Sequence, residues 1–248
     1  MTRPTESDPL RRAADVMREV REKCVWSQQI THRDLVPYLV EESAELIDAV
    51  EDGSRADMRE ELGDLLWQVL FHAEIASRAQ DEPFDIDDVA AGLVEKMVRR
   101  HPHVFGDAVA RTPEEVLVLW NAAKAAEKHE RRSVLDGVSE RMPSLALAQK
   151  LLGRVAALPD VPRIAISVEN RRDAPILDRD ADSQRGASAA PATEAELGDA
   201  LLELVARARA NGWDAERALR ERLRRLEREV RAAEASGPFA AAAGDLEE

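Results

Sequence analysis

The chain has 248 residues, a formal net charge of −14 and a single cysteine, Cys24. That excess of negative charge repels a nucleic-acid backbone, so no nucleic-acid partner is expected. One cysteine excludes an intrachain disulfide framework and a thiolate metal site, and without a long apolar run or a signal-peptide pattern no membrane partner is expected and the expected compartment is the cytoplasm.

Alanine, leucine, arginine and glutamate dominate, which favours helix. In chain order, Asp8 and Pro9 read as the N-cap and first turn of a helix over residues 8–23. "CVWSQQITHRD" interrupts the helical pattern, and a second helix runs from about Asp34 to Val50. "EDGS" reads as a turn with Gly53 as a left-handed C-cap. Ser54 and Asp57 form a capping-box pattern ahead of a helix reaching about Ala79. "IDDVAAGLVEKMVRR" is a fourth helix, and "HPHVFGDAVAR" is a connection. Thr112, Pro113 and Glu115 open the next helix, and a further helix ends near residue 158. Residues 159–192 have the composition of a flexible linker. Thr193 and Glu196 begin a last pair of helices to about residue 236, and residues 237–248 read as a disordered tail. "EELGDLLWQVLFHA" (60–73) is echoed by "AELGDALLELVARA" (195–208), so 193–236 reads as a partial repeat of the first domain, residues 1–158. The expected fold class is all-α, a helical bundle.

The acids of "EESAELIDAVEDGSRADMREELGDLL" (41–66) carry the chemistry. Residues three apart on a helix share a face, which pairs Glu42 with Glu45 and Glu61 with Asp64. In an antiparallel hairpin folded at Gly53, Glu42 meets Asp64 and Glu45 meets Glu61. Four carboxylates that close cannot all stay ionised without a cation. Oxygen-only ligation suits Mg²⁺, with Mn²⁺ as a substitute. A single ExxE would read as solvated surface; two in mirror register read as a metal site. A di-iron bundle would need Glu-x-x-His, which the spacing lacks.

A carboxylate-held Mg²⁺ most often acts on a phosphate chain. Lys96, Arg99 and Arg100 lie within one turn of each other at the end of the fourth helix, where the helix dipole alone also favours cations. Trp120 and Lys124 stand at i and i+4, a spacing that fits a base platform beside a phosphate contact and equally a core indole beside an exposed lysine. His32, His101 and His103 fall in loops and receive no metal role.

"EESAE" followed by "EELGD" resembles the EExxE…ExxD pattern of the all-α nucleoside triphosphate pyrophosphohydrolases. "THRDLVPYLVEESAELIDAVE", "KMVRRHPHVFGD", "VLVLWNAAKAAEK" and "SVLDGVSERMPSLALAQKL" resemble the MazG family in particular, over nearly all of residues 10–155. The resemblance implies Mg²⁺-dependent hydrolysis of nucleoside triphosphates to monophosphate and pyrophosphate by a homodimeric helical bundle. It implies that Glu42, Glu45, Glu61 and Asp64 ligate the metal, that Glu41 stands beside them in the motif, and that Lys96, Arg99, Trp120 and Lys124 contact nucleotide, with Arg100 in the same basic set. The alternatives are a related pyrophosphohydrolase acting on dUTP, dCTP or phosphoribosyl-ATP, or a nucleotide-binding module without turnover. The second copy keeps Glu196 and Asp199 but lacks an EExxE helix, so it is expected to be catalytically silent.

Overall fold

The computed structural model describes residues 8–127, 133–156 and 191–236. Among these the structure is all-α and contains no strand. The segment "RIAISVE", nearly all of the expected linker and the whole expected tail lie outside the described residues. Two compact units divide the chain, residues 1–129 and 130–248. The boundary therefore precedes the helix that the sequence pattern ends near residue 158.

In the first unit, α1 (Pro9–Lys23) starts where Asp8 accepts the Leu10 amide at 3.0 Å. Residues 24–34, read from sequence as a break, contain a short helix, α2 (Val25–Gln29). Then come α3 (Val36–Glu51) and α4 (Arg55–Ala76). The capping box of α4 forms as expected: Ser54 Oγ accepts the amides of Ala56 and Asp57, and Asp57 accepts the Ser54 amide at 2.7 Å. α5 (Ile86–Arg100) opens on a second box, Asp85 with Asp88. α6 (Pro102–Phe105) is a single turn inside the expected connection, and α7 (Pro113–Ala126) begins at Thr112, whose hydroxyl accepts the Glu115 amide.

Gly53 does not adopt the left-handed conformation expected of it; among the described glycines only Gly137 and Gly212 have positive φ. The requirement is spatial instead. A Cβ on Gly53 would lie 2.6 Å from Ala49 Cα and 2.8 Å from the Ala49 carbonyl oxygen. Asp52 closes α3 with φ −144°, and glycine lets the chain turn tightly against the last turn of that helix.

The core of the first unit joins α1 to α4. Ala14 and Met17 of α1 pack with Leu35, Leu70 and Phe71. Burying each large side chain contributes about 1.5–3 kcal/mol, which fixes α4 as the central helix. The apolar residues of α3 and α4 divide: Leu66 packs against this core, whereas Leu39, Val50, Leu62 and Val69 are exposed. Arg21 Nη1 donates to the Ile30 carbonyl at 3.0 Å and tethers the loop that leads into α3. At the open end of the α3–α4 hairpin, His32 Nδ1 and His72 Nδ1 are 2.8 Å apart. Their rings are within 5° of parallel with centroids 5.1 Å apart. The centroid spacing exceeds the N···N distance by two ring radii. The rings therefore meet edge to edge, one Nδ1–H aimed at the other lone pair, rather than stacking face to face.

The second unit holds α8 (Ser144–Val155), α9 (Glu194–Ala210) and α10 (Ala215–Ser236). α8 and α10 both pack on α9. Gly212, φ +72°, makes the turn between α9 and α10. Gln149 of α8 bridges that turn, donating to the Trp213 carbonyl and accepting the Ala215 amide.

Candidate active site

The α3–α4 hairpin brings its acids together in the register expected from Gly53. One carboxylate oxygen each from Glu42, Glu45 and Glu61 lies within 4.8 Å of the other two. Asp64 stands beside this triple. Burial is the main reason the Glu42 carboxyl is raised above the usual carboxylate range, and the charge of Asp64 is the next. Burial also leads for Glu61, and the charge of Glu45 comes next. The strongest acidic neighbour of each is thus the one opposite it across the hairpin. Glu41 is exposed and adds its charge to Glu42. Among the described residues none of Glu42, Glu45, Glu61 and Asp64 forms an ion pair, so no described cation neutralises the cluster.

A cleft of 360 Å³ continues the cluster toward the turn, lined by Glu45, Asp48, Asp52, Asp57 and Glu61 around Ala49 and Gly53. Asp57 is committed to the cap of α4, and its bonds with Ser54 hold its carboxyl below the usual range. The unneutralised acids at the inner end fit a hard divalent cation, which takes carboxylate oxygens and leaves positions for substrate oxygens.

A second cluster forms where the C-terminal ends of α5 and α7 meet. Arg100 donates from Nε and Nη2 to Glu127, the latter at 2.6 Å, and Arg99 Nε donates to Glu127 Oε1 at 2.9 Å. Arg100 Cζ lies 5.1 Å from the centroid of the Trp120 ring. His101 meets the same indole edge-on at 5.0 Å. The Arg100 hydrogen bonds do most to hold the Glu127 carboxyl down at about 2, and the Arg99 bond adds to them. Lys96 and Lys124 are half-buried on α5 and α7. Among the described residues Lys96 has no ion-pair partner.

Comparison with known proteins places this pattern. A sequence profile of the MazG nucleotide pyrophosphohydrolase domain matches residues 30–105. An uncharacterised 26.1 kDa protein of Streptomyces cacaoi is 46% identical over 220 residues, covering 89% of this chain and 80% of its own length. A nucleoside triphosphate pyrophosphohydrolase of Escherichia coli K12 is 33% identical over 228 residues, 88% of this chain and 83% of that one. The chain belongs to the MazG family.

Another MazG relative, the nucleoside triphosphate pyrophosphohydrolase of Mycobacterium tuberculosis, is 49% identical over 150 residues. That match takes in 59% of this chain and 45% of the relative. The MazG profile spans the acids of α3 and α4 and the basic end of α5, and stops before Trp120 and Lys124. Of the residues picked from sequence, Glu42, Glu45 and Glu61 converge on one point, with Asp64 close enough for its charge to act on Glu42 and Glu61. Arg99, Arg100 and Trp120 converge on another. Glu127 was not picked. It lies seven positions after Trp120, two helical turns on the same face, and that spacing was the available signal. Asp48 and Asp52 of the cleft were also passed over; Asp48 continues the three-residue spacing of Glu42 and Glu45. No helix among the described residues is long and apolar enough to cross a membrane.

Proposed function

We propose that the chain hydrolyses nucleoside triphosphates to the monophosphate and pyrophosphate, using Mg²⁺ held by Glu42, Glu45, Glu61 and Asp64, with Mn²⁺ as a substitute. The observation that carries this reading is the convergence of three carboxylates from two helices, none of them in an ion pair among the described residues. Bound there, a divalent cation supplies polarisation of phosphate oxygens and neutralises their charge. The chain supplies the remainder. Glu42, Glu45, Glu61 and Asp64 fix where the triphosphate sits. Glu41, exposed next to Glu42, is placed to accept a proton from the attacking water. That water adds at the α-phosphorus, and the bond to the bridging oxygen of the departing pyrophosphate breaks. Lys96 and Arg99 offset the charge that builds on the leaving group. Trp120 offers an indole face to the base, and Lys124, one turn further along α7, reaches toward phosphate.

The working unit in this reading is a homodimer. Its support is the exposed apolar surface of the first unit, to which Leu39, Val40, Val50, Leu62 and Val69 contribute. Exposed patches of this kind mark association surfaces. A nucleotide panel with Mg²⁺, scored for pyrophosphate against phosphate, tests the reaction. Pyrophosphate is expected in equal amount to monophosphate; phosphate as the sole inorganic product would overturn cleavage at the α-position. Nucleotide binding without either product would point to a non-catalytic module. Mg²⁺ alone at about ten times its Kd should stabilise the protein by about 1.4 kcal/mol through mass action. A Glu61→Gln variant should lose most of that gain in a thermal melt.

A further inference from the structure

Arg99 and Arg100 are adjacent on one helix, so their side chains leave the α5 axis about 100° apart. Both guanidinium groups nevertheless converge on a single carboxylate, Glu127. The three groups divide by exposure. The side chains of Arg100 and Glu127 are 11% and 14% exposed, whereas Arg99 is 53% exposed. Arg100 is committed twice over, through a two-pronged bond to Glu127 and by lying over Trp120. Arg99 gives Glu127 its Nε–H, and its outer edge faces solvent.

Glu127 is also the C-cap residue of α7. The dipole at that end of a helix disfavours an anion, so stability of α7 alone would place a cation there. We propose that Glu127 is a positioning residue for the nucleotide side of the site: its carboxylate locks Arg100 against the indole of Trp120 and aims Arg99 at the phosphates. This rests on the pyrophosphohydrolase reading above. Glu127 also neutralises part of the charge that a triphosphate seeks. Glu127 already holds two rotamer-rich side chains in place before binding, so that ordering cost does not fall on the binding step.

The experiment compares Glu127→Gln, Glu127→Asp, Arg100→Lys and the Glu127→Gln/Arg100→Lys double variant with the wild-type chain. Each is read for steady-state kinetics, melting temperature and the Kd of a non-hydrolysable triphosphate analogue with Mg²⁺. Glu127→Gln should raise KM and Kd together about five- to tenfold and lower kcat by a smaller factor, as Arg99 loses its aim at the leaving group. Glu127→Asp should recover part of the loss. Arg100→Lys keeps the charge but loses the fork, and should match Glu127→Gln. The double variant should be no worse than either single one, because all three break one unit. A wild-type Kd in Glu127→Gln, additive losses in the double variant, or a fall in kcat and melting temperature at unchanged KM would overturn the proposal. If Glu127→Gln fails to fold, Arg100→Lys carries the same test. A wild-type chain that binds the analogue but releases no pyrophosphate would sink the reaction and leave the Kd comparison standing; one that binds nothing overturns both.

Discussion

Helices α4 and α9 share a run of sequence, and among the described residues only α4 helps to build the proposed cation site. Glu61 corresponds to Glu196, Asp64 to Asp199 and Leu70 to Val205, and both apolar members are buried. Two differences decide the outcome. The first is the partner helix. α3 faces α4 with Glu42 and Glu45, whereas of the two helices packed on α9, α8 ("SLALAQKLLGRV") contains no acid, and the glutamates of α10 join Glu196 and Asp199 in no metal-holding group among the described residues. The second is where the acids fall along the helix. Glu61 lies in the second turn of α4, free of capping duty. Glu196 lies in the first turn of α9, and its carboxylate accepts the Ala192 amide at 2.7 Å. Among the described residues the one group of acids able to hold a metal is Glu42, Glu45 and Glu61. An ExxD pair is therefore half a site, and it becomes a whole one only when a facing helix presents acids at the same height.

The largest expected effect separates these two pairs directly. Asp64→Asn should lower pyrophosphate release by about a hundredfold or more, since it removes a carboxylate from the proposed cation cage. Asp199→Asn, the matching change in α9, should leave the rate within about twofold. The melting temperature should move little in either case, because both side chains are exposed. Comparable losses of activity would mean that the second unit takes part in catalysis, and full activity in Asp64→Asn would remove that residue from the site.

Most of this comparison could be read before any coordinates. The capping residues Asp8, Ser54, Thr112 and Thr193 each mark an observed helix start, because a side-chain oxygen meeting an orphan amide is local chemistry. The mirror register of the four acids followed from helical spacing and one turn. What escaped was the non-local part. Gly53 was read as a backbone conformation when its need is the approach to Ala49. Leu39, Val50, Leu62 and Val69 have helical periodicity, yet the single chain leaves them uncovered. Glu127 pairs with residues 27 and 28 positions away, and its spacing from Trp120 marks a shared face but not those partners.

A smaller effect should separate the units by pH. His72 corresponds to Arg207 in the echo, so only the first unit has an imidazole pair closing its hairpin. Burial first, and the neighbouring His32 second, push the His72 pKa below its ordinary value. Its neutral form is therefore the one the fold favours. The stabilisation is fully present above the unfolded-state pKa, about 6.5, and is lost as pH falls through that value toward the depressed one. A second proton on the pair also removes the Nδ1–H···Nδ1 bond, worth about 1 kcal/mol. Amide exchange in α4 should quicken relative to α9 between about pH 7 and 5. His72→Gln should flatten that dependence, and His32→Gln should weaken it less. An identical response in α9, or an unchanged slope in His72→Gln, would assign the pH sensitivity to other groups.

The smallest effect concerns the glycine inside each copy of "ELGD". A Cβ on Gly63 or Gly198 would meet nothing within 4 Å. Both lie in helices, where glycine costs about 0.5–1 kcal/mol relative to alanine. In an isolated chain the two substitutions to alanine should stabilise equally. Gly63, however, lies between Glu61 and Asp64 and next to the exposed Leu62, on the unit proposed to dimerise. A second copy packed against that part of α4 would take up the space a Cβ needs. Gly198→Ala should therefore raise the melting temperature, and Gly63→Ala should raise it less or lower it, the gap widening with protein concentration as the dimer fills. Equal gains at every concentration would leave α4 free of a second copy at that point and move any dimer contact to another part of the apolar surface.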